Sequence, residues 1–448
     1  MEIIIQLLLF VICTLMFVVP RTHKLALLII GSMCMQVFII IPSMGITRGA
    51  MIIPLCFFMS MFFQIKLSDI RPSIVYTLIV ISMVALCISI VSSPHATESF
   101  GSVLDAVLSG TVKGCFALAF SFVCVNSFKD IQAALKYSYI ALLVLTFFSV
   151  VQIMTGHNIA VEMMQIISSN VSERAMDINE TELETGRHAI QSLCPYPAVY
   201  GYMCLISSLF HFYGYKMCQF SKQNLFISII CCMSGLFLCG RRSVFLCAIA
   251  SFGSFMFLAH GFKRRVKYIL VTVSFFVIVY LLIPSVQDYV GLMTNFSSEE
   301  GAEGSSIEMR LLQYASAFAF MDNNWLLGRG IGFFTIDLGG NEMGVMTGLM
   351  GLEGVLLGTI LEKGLLGVFA WLILYLSIIV FALNNRNNDR YTSSFVVAVI
   401  IAYILFSNGT GDLGCSFITL LLAGLGIKLL YIKRNTDPLK CGLEKKGL

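Results

Sequence analysis

Gly240-Arg241-Arg242-Ser243 places two guanidinium groups inside what is otherwise one apolar stretch, Leu225 to Ala259. Those 35 residues exceed the roughly 20 that one membrane crossing needs, so the arginines mark the turn of a helical hairpin. A guanidinium is a planar fork of donors that meets phosphate oxygens with two parallel hydrogen bonds. The pair therefore suits an anionic group such as a diphosphate, unless the turn faces the cytoplasm and the arginines simply anchor it there. Four further arginines lie in polar stretches between apolar runs: Arg174, Arg187, Arg310 and Arg329. His188 follows Arg187, and Glu353 stands at the entrance to an apolar helix. An imidazole or a carboxylate within hydrogen-bond reach of a hydroxyl can take its proton. The plainer roles are a hydrated loop residue for His188 and an ion-pair partner of an arginine for Glu353.

The residues around Arg310 have a readable local structure. Ser305-Ser306-Ile307-Glu308 has the spacing of a capping box, which predicts a helix from Met309 to Met321 with Arg310 in its first turn. Asp322-Asn323-Asn324 ends it. Trp325-Leu326-Leu327-Gly328-Arg329-Gly330-Ile331-Gly332-Phe333 follows, and its three glycines in five residues permit a close backbone approach. The plainer alternatives are a solvated arginine and an ordinary turn. Further on, Glu353-Gly354 is followed by nine residues and then by Gly364-Leu365-Leu366-Gly367. Trp325, Phe333, Phe334 and Tyr196 can stack on sugar faces or anchor a membrane interface.

These residues must be positioned by helices in a bilayer. Of the 448 residues, 58% are hydrophobic and 12% charged, and the mean hydropathy is +0.88. Such a chain is an all-α polytopic membrane protein, with about 12–14 transmembrane helices. The expected spans are roughly 2–20, 25–42, 50–64, 73–92, 104–125, 137–155, 192–213, 224–240, 243–260, 268–284, 353–383, 393–408 and 414–432. The eleventh is too long for one crossing, so its first half is expected to lie at the outer face. The first is expected to be a retained helix, since it lacks a basic leader and a small-residue cleavage site. Most of the fifteen cysteines sit in apolar runs, where cysteine is a small hydrophobe. The six scattered histidines do not suggest a metal site, no nucleotide-binding fingerprint is present, and no nucleic-acid partner is expected.

Charge sets the orientation. One set of alternate loops holds 19 of the 29 basic residues, from Arg21 and Lys24 through Lys216 and Lys222 to Arg386, Arg390 and the tail from Lys433. The positive-inside rule places that set in the cytoplasm and the amino terminus outside. Two long loops, 156–191 and 285–352, then fall outside. They carry six acids with two arginines and eight acids with two arginines, respectively. Loops of that length in a compact domain are usually either functional or disordered. The chain is one integral membrane domain, 1–448, with no internal repeat.

Taken in order, four features resemble the O-antigen polymerase and O-antigen ligase superfamily. They are Arg242 after an apolar helix, Arg310 opening an outer-loop helix, the Trp-Leu-Leu-Gly-x-Gly-x-Gly-Phe segment, and Glu353 followed by Gly364-Leu365-Leu366-Gly367. The detailed likeness covers about residues 190–385, and Arg241 stands where the family usually has a serine. The ligase branch carries a histidine, then Asn, Ser or Gln, nine residues, and Gly-x-x-Gly. Gly364 and Gly367 match, but Glu353 and Gly354 occupy the places of the histidine and its neighbour, which favours the polymerase branch.

The resemblance implies a GT-C-like, metal-independent glycosyltransferase without a cofactor, in the inner membrane of a bacterium. Its substrates would be glycans on undecaprenyl diphosphate, polymerised at the periplasmic face. A chain-length regulator would be its protein partner and membrane lipid its surroundings. Arg242, Arg310 and Arg187 would hold the diphosphate, with Arg241, Arg329 and Arg174 behind them, and Glu353 or His188 would be the base. The rivals are the ligase itself and a flippase or other transporter of lipid-linked oligosaccharides. A transporter would place its working charges deep in the spans, as at Lys113 or Lys428.

Overall fold

The computed structural model describes residues 2–38, 49–62, 80, 83–84, 113–124, 128–158, 162, 190–217, 219–261, 267, 281, 287, 291, 307–330, 333 and 354–435. Every regular element among them is a helix. In chain order these are α1 Glu2–Val18, α2 Arg21–Cys34, α3 Gly49–Phe62, α4 Lys113–Cys124, α5 Phe128–Thr155 and α6 Pro197–Lys216. They continue with α7 Lys222–Leu238, α8 Arg242–Ala259, α9 Ile307–Met321, α10 Val355–Asn384, α11 Arg390–Thr410 and α12 Cys415–Asn435. Eleven of the thirteen expected spans overlap helices, and those at 73–92 and 268–284 fall outside the described residues except at 80, 83–84 and 281. Five helices are long and apolar enough to cross a membrane: α5, α8, α10, α11 and α12. Three shorter helices, within α1, α3 and α7, are apolar as well. This is the architecture of a multi-pass membrane protein.

Burial separates a centre from a rim. In α6, 17 of 20 residues are buried, and its polar groups bond to neighbouring helices. Tyr202 Oη pairs with Thr419 Oγ1 at 2.8 Å and Tyr213 Oη with Thr392 Oγ1 at 2.9 Å. Ser208 donates to the Ser228 carbonyl at 2.9 Å, and the His211 ring meets Ser228 Oγ at 2.7 Å. A helix buried on nearly every face is surrounded by other helices. The rim helices instead expose large apolar side chains, among them Phe147, Phe226, Leu246, Phe257, Leu376 and Val380. Apolar faces of that extent suit lipid.

The two ends of the bundle differ in charge. At one end the His23 ring lies 3.3 Å from Tyr137 Oη, and Gln132 pairs with Gln219. The buried Lys24 donates to the Ser60 carbonyl at 3.1 Å, near the carboxyl end of α3, where a cation is favoured. Arg386 donates twice to the Leu258 carbonyl, at 2.7 and 3.1 Å, and Lys433 bonds Asp389 at 2.5 Å. The basic loops at 21–24, 129–136, 216–222, 386–390 and 433 are thus gathered at this end. The opposite end holds Ser192, whose N–H donates to Gln152 Oε1 at 3.0 Å, and Ile190, whose N–H donates to the Leu238 carbonyl at 3.0 Å. The α7–α8 turn and the start of α10 lie there too.

Helix α10 is not straight. Ser393 Oγ donates to the Ala382 carbonyl at 2.6 Å, and the Tyr375 and Tyr403 rings lie 5.2 Å apart, which sets the antiparallel register of α10 and α11. At 1.5 Å per residue a straight α10 would carry Leu356 about 18 Å past the level of Asn408. Instead the Leu356 N–H donates to Asn408 Oδ1 at 3.1 Å. The helix bends at Gly364, whose φ of 62° and ψ of −163° are not helical. Its first part, Val355–Lys363, folds over the end of α11, while the part after Gly364 descends beside it. The first half of this long span is therefore a separate segment that does not continue the crossing, as its length predicts. Helix α9 packs on the folded-over part through Ala317, Met321, Phe333, Leu357 and Leu361, a small core separate from the main one.

Candidate functional site

Gly409, near the end of α11, is where the arginine-bearing elements meet. Arg310 Nη2 donates to the Gly409 carbonyl at 2.9 Å. The first turn of α8 presses on the same residue, since a Cβ on Gly409 would come within 2.9 Å of Ser243 Cβ. Arg242, beside Ser243, opens α8, and Arg241 is its N-cap. An arginine side chain has no acceptor for the first-turn amides. The positive end of the α8 dipole therefore coincides with two consecutive arginine positions. Cations are ordinarily disfavoured at a helix amino terminus, and anions are drawn to it. Gly240, at φ 61°, makes the turn that delivers the pair.

The expected hairpin of α7 and α8 takes a different form. The two helices touch near the turn, where the Phe237 and Phe245 rings lie 5.3 Å apart. Beyond it they pack mainly on other partners, α7 on α6 and α8 on α11. That divergence carries the arginine turn over to Gly409.

The glycine-rich segment after α9 explains the bend in α10. In an unbroken helix Leu365 N–H would donate to the Leu361 carbonyl and Leu366 N–H to that of Glu362. Those bonds are replaced from outside. Arg329 N–H donates to the Leu361 carbonyl at 2.8 Å and Gly330 N–H to that of Glu362 at 3.0 Å. Leu365 N–H donates to the Trp325 carbonyl at 2.8 Å and Leu366 N–H to that of Leu326 at 3.2 Å. Two helical bonds give way to four bonds across the break, so none of these backbone groups is lost to an apolar surrounding. Gly328 (φ 77°) and Gly364 lie at the centre of this clamp. Gly367 has another role: a Cβ there would collide with the Lys363 side chain, so the glycine leaves a path for that lysine's stem.

The structure sorts the expected residues. Arg241, Arg242 and Arg310 are brought to one end of α11. Arg329 belongs to the clamp, with its guanidinium 5.2 Å from the centre of the Phe333 ring. Arg174, Arg187, His188 and Glu353 lie outside the described residues, as do Phe334 and the two serines of the capping box. Helix α9 begins at Ile307, two residues before its expected start. Phe333 is buried in the small core, whereas Trp325 is exposed and stacks on Phe318 at 5.7 Å. Tyr196, the N-cap of α6, is exposed too.

Two residues were not singled out from sequence: Asn408, which caps α10 from a neighbouring helix, and Gly409 itself. The signal was Ser407-Asn408-Gly409-Thr410-Gly411-Asp412, a run of small and polar residues between two apolar helices. No family model matches this chain, and no curated protein matches it.

Proposed function

We propose that this protein is a membrane glycosyltransferase of GT-C-like fold, an O-antigen polymerase. It joins undecaprenyl-diphosphate-linked repeat units into a polysaccharide at the periplasmic face of a bacterial inner membrane. The observation that carries this reading is the convergence on Gly409 of Arg310 and the arginine-bearing start of α8. When the growing chain leaves undecaprenyl diphosphate, negative charge builds on the diphosphate at headgroup level. Preorganised guanidinium groups there lower the barrier, each by on the order of 3 kcal/mol in a poorly solvated site. Arg241 and Arg242 come from α8 and Arg310 from α9, so the anion would be held between two elements. The clamp between Trp325–Gly330 and the bend of α10 supports the same reading, because it keeps α9 from sliding. In this orientation the basic end of the bundle faces the cytoplasm, and a chain-length regulator is the expected partner.

The test is a silver-stained lipopolysaccharide gel of the host with this gene deleted and then restored. A single repeat on the core in place of a ladder, reversed on restoration, is the expected result. A core bare of any repeat would point to a ligase or a flippase instead. An unchanged ladder would remove O-antigen from the reading.

A further inference from the structure

We infer that Asp412 receives the proton of the acceptor hydroxyl, in a polar site that the bent α10 closes over the end of α11. This rests on the polymerase reading above and adds to it the group that completes the reaction. Asp412 lies in the short loop between α11 and α12, three residues after Gly409. Its Oδ1 accepts from Tyr403 Oη at 2.8 Å and from the Ser416 N–H at 2.9 Å, and its Oδ2 accepts from Ser416 Oγ at 3.0 Å. Three bonds from two helices fix the plane of the carboxylate.

The bonds from Ser416 are those of any carboxylate that caps a helix, here α12. The rest of the surroundings exceed what a cap requires. Tyr403 reaches Asp412 from α11. Lys363, at the bend of α10 and steered by Gly367, stands within electrostatic reach of Asp412 and Glu362. The loop is also held in a costly shape: Gly411, Leu413 and Gly414 have φ of 85°, 44° and 78°. Leucine rarely adopts that conformation, and strain of this kind persists where the surrounding structure enforces it.

A row of aromatic rings leads away from this carboxylate. The Tyr375 and Tyr403 rings lie 5.2 Å apart, and the Trp371 and Tyr375 rings 4.8 Å apart. In the register of α10 and α11, Trp371 is level with the last turns of α11. Its indole N–H is buried and makes no hydrogen bond among the described residues. A buried donor in that state is costly in an apolar surrounding, and a sugar hydroxyl would satisfy it. Aromatic faces, a lysine, an indole donor and an oriented carboxylate together suit a saccharide that must lose a proton.

The step balances. The acceptor oxygen attacks the anomeric carbon of the donor sugar and forms the new glycosidic bond. The bond from that carbon to the diphosphate oxygen breaks, and its electron pair leaves with undecaprenyl diphosphate beside Arg242 and Arg310. The acceptor proton passes to the Asp412 carboxylate and from there to water. Gly409, whose carbonyl Arg310 holds, precedes Asp412 by three residues, so the leaving-group arginine and the carboxylate serve the same end of α11.

The experiment uses purified full-length protein in lipid nanodiscs, with undecaprenyl-diphosphate-linked repeat units extracted from the gene-deleted host. Polymer made by the unaltered protein tests the polymerase reading by itself, and its absence would end that reading. Given polymer, Asp412→Asn is expected to lower kcat at least about 100-fold with KM little changed, while Asp412→Glu recovers part of the loss. An Asp412→Asn protein that folds and polymerises at the unaltered rate would overturn the assignment and leave the polymerase standing. Should Asp412→Asn fail to fold, Tyr403→Phe decides, because it removes one bond to the carboxylate and leaves the loop alone. A fall in its kcat of about tenfold at constant KM is expected, and an unchanged kcat would overturn the proposal.

Discussion

Gly328 and Gly364 meet backbone to backbone. A Cβ on Gly328 would lie 2.6 Å from Gly364 N, and one on Gly364 would lie 2.6 Å from Gly328 N. Both residues have positive φ. Two glycines 36 positions apart thus form one joint, and neither can be changed without moving the other's chain.

Gly328→Ala and Gly364→Ala should each destabilise the protein by more than the 1–2 kcal/mol or so that left-handed φ alone costs an alanine. The midpoint of thermal aggregation in detergent, followed by size exclusion, would show it. Gly253→Ala is the control. That glycine is inside α8 with nothing within 4 Å of its Cβ position, so alanine there should be neutral or raise the midpoint. Equal midpoints for all three variants would refute the clamp.

Arg310→Ala and Arg242→Ala should each cut polymer synthesis about 100-fold while the protein still inserts. Arg→Lys at either position should also be poor, because an ammonium cannot offer the two-pronged fork. Near-normal ladders from both alanine variants on the lipopolysaccharide gel would remove these arginines from the diphosphate site.

Asn408→Leu should leave the Leu356 N–H without its acceptor and loosen the fold of α10 over α11, at a cost of about 1–3 kcal/mol. Asn408→Asp keeps an acceptor at the same place and should be the milder change. Limited proteolysis of the segment before Val355 would report the difference. Equal cleavage of both variants would mean that the bond does not hold the segment.

A green fluorescent protein fused after Leu448 should be fluorescent in a bacterial host, because the basic end would then face the cytoplasm, where that protein matures. A dark, full-length fusion would reverse the molecule. The arginines would then face the cytoplasm, and polymerisation at the periplasmic face would be untenable.

Much of the helical layout was legible in the sequence, because helical spans are set by apolar length. That α10 is more than one crossing followed from its length alone. What was not legible depends on contacts between segments remote in sequence. Arg310 and Gly409 are 99 positions apart, and no local pattern couples them. The glycines at 328 and 364 were visible as punctuation, but that each serves the other's backbone appears only once α10 is seen to bend. The divergence of α7 from α8 was hidden for a similar reason: a short turn suggests a hairpin, and only packing on α6 and α11 overrides it. The central place of α6 was masked as well, since its tyrosines, serines and histidine lower its hydropathy without disclosing that protein surrounds it.

That surrounded helix bears on how the protein is made. Helix α6 carries polar groups that lipid would not satisfy, and its partners Ser228, Thr392 and Thr419 emerge later in synthesis. The newly inserted segment must therefore wait, sheltered by α2 and α5 or by the insertion machinery, until α7, α11 and α12 arrive to close around it. The membrane domain is thus completed from its carboxyl-terminal third inward. A ribosome that stops short of α11 leaves behind a protein with an unsealed centre, a ready substrate for membrane quality control.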